Sequence, residues 1–375
     1  MARRLGTLWG LYSLAIVMTE TITFHADALT AAVNAIVRAA GSNDGEAAAV
    51  AANLVEANLR GHDSHGVGMV PRYVDAVLEG GLAVNAHVAI RQDSGALLTL
   101  DGRQGYGQVI GQEAMELGAA RAKAHGVCVV GLAHSHHLGR IGQWAEQCVE
   151  HGLVSIHFVN VLSRPIVAPF GGRDARLGTN PFCVGIPRPG GEPILLDFAT
   201  SKIAQGKTRV AYNKGVAIEP GTLIDDHGEP TTNPRYTVVE PLGALLPFGE
   251  HKGAGLALIC ELLGGALAGG ATGRAVSDGR RRVLNSMFSI LVDPGKLGTA
   301  ANLAAEMEGF VAYATASPPQ PGVGRVRTPG EPERETKARR LVDGIPVDSV
   351  TWGEIVGAGA KVGLAAERVE ALARG

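Results

Sequence analysis

An α/β protein is what this sequence predicts, on three observations. Short β-rich runs alternate with helical stretches of ten to fifteen residues from about position 97 onward. The chain has 375 residues, enough for one large domain or two intimately joined ones with an ample core. The fingerprints of the standard nucleotide folds fail. Gly105, Gly107 and Gly111 miss G-x-G-x-x-G by one place, and Gly206-Lys207-Thr208 has Ser201 where a phosphate loop needs glycine.

The elements follow in order. Leu29, Val33, Ile36, Val37 and Ala40 make one apolar helical face, with Asp27 as its cap and Gly41 as its stop. Ser42 or Asn43 caps a second helix, Glu46 to Leu59, which delivers the stretch RGHDSHGVGMVPRY (60–73). A short helix covers Met69 to Leu78. Strands are expected at 97–102, 126–133, 152–160, 193–200 and 283–293, with helices at 105–126 and 139–152. PILLDFAT (193–200) reads as a buried strand, and the nearly all-apolar segment 252–270 as a buried helix. That segment is too glycine-broken for a membrane span. A Pro/Gly loop and a charged helix occupy 317–335, and Thr351 to Arg374 is helical. Met1 to Val17 resembles a short signal peptide, but an extension or a mis-called start before Met18 is the preferred reading.

Hydrophobic residues are 46%, charged residues 19%, and net charge is −2, so neither nucleic acid nor an anionic membrane is indicated as a partner. Glycine, at 52 residues, is about twice its usual ~7% share, which implies tight turns and close backbone approaches. Cys128, Cys148, Cys183 and Cys260 form no C-x-x-C pair and read as buried thiols of a reducing, cytoplasmic protein.

The candidate chemistry centres on His65. A dense polar run after a rigid helix presents side chains to a cleft. His134, His136 and His137 fall in HSHHLGRIG, read as a polar loop at the end of a strand. With His62 and His65 they could form a metal site of a hydrolase or lyase, but no ligand spacing supports one, and no metal is expected. Gly139, Arg140 and Ile141 then begin a helix whose free N–H groups suit phosphate. Asp197 in an apolar strand needs a partner, either a histidine whose tautomer it fixes or backbone amides. His251 and Lys252 open the apolar helix, where an anion or solvent would face them. Asn285 lies inside a strand and needs a backbone or ligand partner.

Six pieces carry a resemblance: HDSHGVGMVPRYV, HSHHLGRIGQWAEQ, APFGGRDARLGTNPFCVGIP, LLDFATSKIAQGKTRVA, FGEHKGAGLALICELLGGAL and the TPGE loop. Together they resemble the NAD(P)-dependent malate/L-lactate dehydrogenase family, in its hydroxycarboxylate dehydrogenase branch, which reduces 2-oxo acids such as hydroxyphenylpyruvate. The resemblance implies a non-Rossmann mixed sheet with flanking helices (86–334) and a helical part built from both termini (18–85 with 335–375). It implies a homodimer and NAD as cofactor, with NADP the alternative. His65 would be the proton donor, and Asp197 would orient it. His65, His137, Gly139 to Ile141, Leu195, Leu196, Asp197, Phe198, Ala199, His251, Lys252, Asn285, Gly330, Glu331, Pro332 and Glu333 would lie along the cofactor. Gly178 to Pro181 would form a turn near the site. Where many members carry an arginine as carboxylate clamp, this chain has Met69, which leaves Arg72 or Arg140 as the candidate. The small-molecule partner is then a 2-oxo or 2-hydroxy acid, with a cyclic imino acid or a ureidoglycolate-type substrate as alternatives on the same fold.

Overall fold

The structure is a computed structural model that describes residues 20–274 and 282–375, so the expectations for residues 1–17 lie outside the described residues. In chain order the elements are β1 (Thr21–Phe24), α1 (Ala26–Ala39), α2 (Asp44–Leu59), α3 (Val70–Leu78), β2 (Ala89–Asp93), β3 (Leu97–Asp101), α4 (Gly107–His125), β4 (Val127–His136), α5 (Gly142–Glu150), β5 (Val154–Leu162), β6 (Phe182–Ile186), β7 (Ile194–Phe198) and α6 (Gln205–Asn213). There follow the two-residue strands β8 (Leu223–Ile224), β9 (Pro230–Thr231) and β10 (Ala244–Leu245), then α7 (His251–Cys260), β11 (Leu284–Val292), α8 (Pro294–Leu297), α9 (Ala300–Thr315), α10 (Glu331–Asp343), β12 (Ile345–Asp348), α11 (Ser349–Lys361) and α12 (Ala366–Arg374).

The two ends of the chain close on each other. β1 pairs antiparallel with β12, from Thr21↔Asp348 to Phe24↔Ile345. Around this ribbon Leu29, Ile36, Leu54, Val70, Tyr73, Trp352, Ile355 and Val369 share one core. Asn43 caps α2 by accepting from the Glu46 N–H at 2.9 Å. Asp27 does not cap α1. The helix begins at Ala26 and Asp27 sits in its first turn, where a negative charge complements the helix dipole. The expected C-terminal helix is two, broken where Gly363 adopts φ +83°.

The main sheet has the order β2-β3-β4-β11-β5-β6-β7. β3 and β4 are parallel, joined across α4, while β11 enters antiparallel between β4 and β5. The sheet is mixed because a strand from far along the chain separates the two that sequence order would have made neighbours. α4 and α5 cover one face, packing Met115, Ala119, Ile141 and Trp144 on Leu98, Val130, Leu132 and Met287.

Three expectations need correction. PILLDFAT is the edge strand β7, not a buried one: Leu195 points into the core, but Leu196 on the other face is 38% exposed. The strand expected to end near Ala133 runs on to His136, so most of HSHH is strand rather than loop. The apolar segment 252–270 is not buried all round. α7 continues into a π-helix, Glu261–Leu267, which lays its small residues on the sheet and leaves Leu258, Ile259, Leu262 and Leu267 exposed. Gly264 explains this: a Cβ there would stand 2.6 Å from the Phe158 carbonyl oxygen. Close packing of backbone on backbone needs the glycine face inward, and the large side chains then have only the outside. Gly264→Val should therefore force the π-helix off β5 and cost ~1–3 kcal/mol as overpacking, measured by chemical denaturation.

Candidate active site

His65 is placed by a knot of hydrogen bonds at the end of α2. Asn58 is 3% exposed; its Oδ1 accepts from the Val67 N–H at 2.8 Å and its Nδ2 donates to Asp63 Oδ1 at 2.7 Å. These bonds fold residues 63–69 into two consecutive 3-10 turns, with His65 ending the first and Gly66 between them. Gly66 is required because any side chain would collide with the Asn58 amide. Arg340 of α10 reaches the same knot, donating to the Asn58 carbonyl and to Asp63 Oδ2 at 3.0 Å. The half-buried His65 ring has Nδ1 3.0 Å from Ser64 Oγ, and α6 backs Ser64 through Gly206.

The ring of His65 stacks on His137, centroids 5.5 Å apart and planes within 16°. His137 Nδ1 is 2.8 Å from the Tyr73 hydroxyl, which accepts from Gln108 Nε2 at 2.9 Å. His136 is fully buried edge-on to Tyr73, with both ring nitrogens unpartnered. Asn285 holds the following turn: its Oδ1 accepts from the Leu138 N–H at 2.8 Å and its Nδ2 donates to the Asn160 carbonyl at 2.9 Å. Both ends of that amide are thus taken by backbone.

Arg140 lies beside this pair, 2% exposed. One guanidinium nitrogen pairs with Glu146, which also pairs with Arg60 at 2.9 Å; Arg60 and Lys337 share Glu56. Arg140 Nε and Nη1 remain buried without a partner. Asp197 accepts from the Gly142 N–H at 2.7 Å, at the start of α5. A Cβ on Gly142 would stand 3.0 Å from Asp197 Oδ2 and collide with Arg140, so the missing side chain lets the two come together. Asp197 acts on His65 through its charge, opposing the loss of the proton. Glu333 of α10 is 3.6 Å from His62, and the Leu195 N–H donates to the Pro329 carbonyl, which brings Gly330 to Glu333 against β7.

Arg72 is exposed and has no hydrogen bond or ion pair among the described residues; partial desolvation, Arg209 and Arg164 lower its pKa. Its charge is therefore available to an anion. His251 and Lys252 are exposed at the start of α7, with the His251 ring edge-on to Phe170 at 5.9 Å, and no hydrogen bond joins them to the His65 group. Among the described residues no three His, Cys, Asp or Glu side chains could hold a metal ion. Asn58, Tyr73 and Gln108 were not foreseen. Tyr73 was visible in the 60–73 stretch, but its spacing read only as helix.

Burial dominates the electrostatics. It takes His65 down to about 4, with His62 and Arg140 assisting and Asp197 opposing. It takes His136 to about 3, and His137 well below the usual range. The free site therefore holds neutral imidazoles at pH 7. The ordinary imidazole value of ~6.5 is displaced downward, which keeps the His65 ring unprotonated and makes it a weaker base than a solvated histidine.

The comparisons agree with this architecture. Residues 24–356 match the family described as malate/L-lactate dehydrogenase. Hydroxycarboxylate dehydrogenase B of Escherichia coli O157:H7 is 48% identical over 351 residues, 93% of this chain and 97% of that protein. L-lactate dehydrogenase of Cupriavidus necator is 40% identical, covering 81% and 87%. The solved sulfolactate dehydrogenase of Methanocaldococcus jannaschii superposes with TM-score 0.82 at 30% identity, covering 92% and 99%. Its relatives make the chain a nicotinamide-dependent oxidoreductase of 2-hydroxy acids and 2-oxo acids. The chain belongs to the malate/L-lactate dehydrogenase family.

Neutral buried histidines make a pH prediction. Their folded pKa values lie below the unfolded ~6.5, so the unfolded state binds protons first as pH falls. The stability they allow is complete above pH ~6.5 and is lost as pH falls below it, down to about 4 for His65 and about 3 for His136, on the order of 1.4 kcal/mol per pH unit for each. Thermal unfolding should shift down steeply from pH 6.5 to 5 and stay nearly level from 7 to 8.

Proposed function

We propose that this enzyme interconverts a monocarboxylic 2-oxo acid and its 2-hydroxy acid with NADH/NAD, with His65 as the proton-transfer group. The observation that carries the reading is the stacked pair His65–His137, with the charge of the unpaired Arg72 acting on His137. The site's residues fit a dinucleotide: Arg140 keeps two buried nitrogens free for an anionic group, and Gly139 turns at φ +71° directly before α5. Gly139 to Ile141, Leu195 to Ala199 and Gly330 to Glu333 would hold it, with His251 and Lys252 at the α7 end. The bound nicotinamide supplies or accepts the hydride. Glu333, kept ionised first by its bond to His62, would disfavour a 2′-phosphate and supports NADH over NADPH.

The chain's own groups do the rest. Arg72 binds the substrate carboxylate in the place where Met69 offers no charge. That carboxylate and Asp197 bring negative charge toward His65 and raise its pKa, so an imidazole that is neutral in the free enzyme can carry the proton it gives to the nascent alkoxide. In the reverse direction, neutral His65 takes the hydroxyl proton directly.

The assembly is proposed to be a homodimer. The sheet face away from α4 and α5 carries Ile156, Phe158, Phe182, Val184, Leu196, Phe198, Phe288 and Ile290, none fully buried. α9, which has no buried residue, leaves Phe310 and Tyr313 exposed at one end of it, over a cavity of about 750 Å³ lined by Ile194, Val292, Met307 and Phe310. An apolar surface this continuous fits a subunit interface. No helix among the described residues is long and apolar enough to cross a membrane, and four free, buried cysteines fit a reducing cytoplasm.

His65→Ala should lower kcat on a panel of 2-oxo acids by roughly 10²–10⁴-fold, followed by loss of NADH absorbance. Retention of most activity would remove His65 from the chemistry; turnover of cyclic imines alone would replace the substrate class. Sedimentation should give twice the chain mass, and Phe310→Glu should shift it toward the monomer.

A further inference from the structure

We propose that Glu146 is a positioning residue: it takes one edge of the Arg140 guanidinium and so turns the other edge, Nε and Nη1, toward an anionic oxygen of the dinucleotide. The inference deepens the dinucleotide reading above and rests on it. Arg140 stands just ahead of α5, and Glu146 lies within that helix. Glu146 Oε2 accepts from Arg140 Nη2, and Glu146 Oε1 pairs with Arg60 Nη1 at 2.9 Å. Each oxygen of one carboxylate is thus engaged by a different arginine.

The row continues to the surface. Arg60 Nε donates to Glu56 Oε1 at 2.6 Å, and Lys337 Nζ donates to both Glu56 oxygens at 2.8 Å. Lys337, Glu56, Arg60, Glu146 and Arg140 therefore alternate in sign, and their side chains are 33%, 21%, 15%, 14% and 2% exposed. The cations outnumber the carboxylates by one, and the buried end of the row is the end without a second carboxylate. Arg140 is also the one member of the row with buried atoms left unbonded, Nε and Nη1. Asp197 comes close, but its Oδ2 accepts from the Gly142 N–H and leaves both nitrogens without a partner.

A desolvated guanidinium N–H with no acceptor is costly, so its presence here points to an acceptor that arrives with a ligand. The Arg140 charge acts on His65 and on Glu333, which places the guanidinium among the segments expected along the cofactor. The row also explains what Glu146 does. A guanidinium is a planar fork of donors, so fixing one edge fixes the direction of the other. Glu146 is itself held by Arg60, and Arg140 cannot swing aside and take its carboxylate with it.

Calorimetric titration of the free enzyme with NADH, without any oxo acid, tests this. Arg140→Gln should raise the Kd roughly tenfold or more, the worth of a hydrogen bond to a charged group, and Glu146→Gln should raise it roughly tenfold. The sign of the second effect separates positioning from charge. Glu146→Gln adds one net positive charge, which by itself would tighten the binding of an anion. Glu146→Asp keeps the charge and only shortens the reach, and it should weaken binding in the same direction but less. In an Arg140→Gln background, Glu146→Gln should have no further effect, because Glu146 acts through Arg140. In all the variants the KM for the 2-oxo acid should hold. A Glu146→Gln protein that binds NADH as tightly as the wild type, or more tightly, overturns the proposal. So does an equal loss with and without Arg140, the mark of a merely structural role, and so does a loss confined to the KM for the oxo acid. If Glu146→Gln does not fold, Glu146→Asp with and without Arg140→Gln decides by the same comparison. Wild-type protein that binds no NADH would instead sink the dinucleotide reading, and this inference with it.

Discussion

The active site depends on the side chain of Asn58. A short polar loop after a helix has many conformations, and fixing each residue of it opposes folding by about 1–2 kcal/mol. One buried amide answers for two of the constraints at once, taking the Val67 N–H and giving to Asp63. Because the amide is desolvated on all sides, leaving either end unmade would be more costly than the bond is favourable. The turn is therefore close to all-or-none, and His65, Ser64 and Gly66 move with it. Arg340 fastens it from the opposite end of the chain.

What could be read from the sequence was the part written in local pattern. His65 in a polar stretch after an amphipathic helix, Asp197 isolated in an apolar strand and Arg140 before a helix were all visible without coordinates. The structure brings these three together. What escaped depended on faces and partners. Tyr73 has the spacing of a core residue and is one; only its hydroxyl, meeting Gln108 and His137 from distant segments, ties it to the site. The 252–270 segment looked uniformly apolar, and composition alone cannot say that its glycines would claim the inside. The end of β4 looked polar because histidines count as polar, although His136 is fully buried.

The charge state of His65 is a lesson of the same kind. Its type suggests a group that titrates near neutrality, but the same enclosure that makes it selective also removes water from it. Burial outweighs the single favourable carboxylate, Asp197, and Arg140, the arginine proposed to meet the dinucleotide, pushes in the same direction as burial. A site arranged for an anion is poorly balanced without one. The strong effect expected from a bound carboxylate follows from that imbalance.

The β1–β12 ribbon bears on how the protein is made. His65 lies in the first fifth of the chain, yet Arg340 and Lys337, which secure its surroundings, and β12, which closes the helical core, leave the ribosome near the end. At ~5–20 residues per second, the gap is on the order of tens of seconds. During that interval α1 and α2 are complete in sequence but lack the partners that cover them. The nascent chain thus exposes the apolar faces of α1 and α2 through that interval, and the turn that carries His65 is fastened only once Arg340 has emerged.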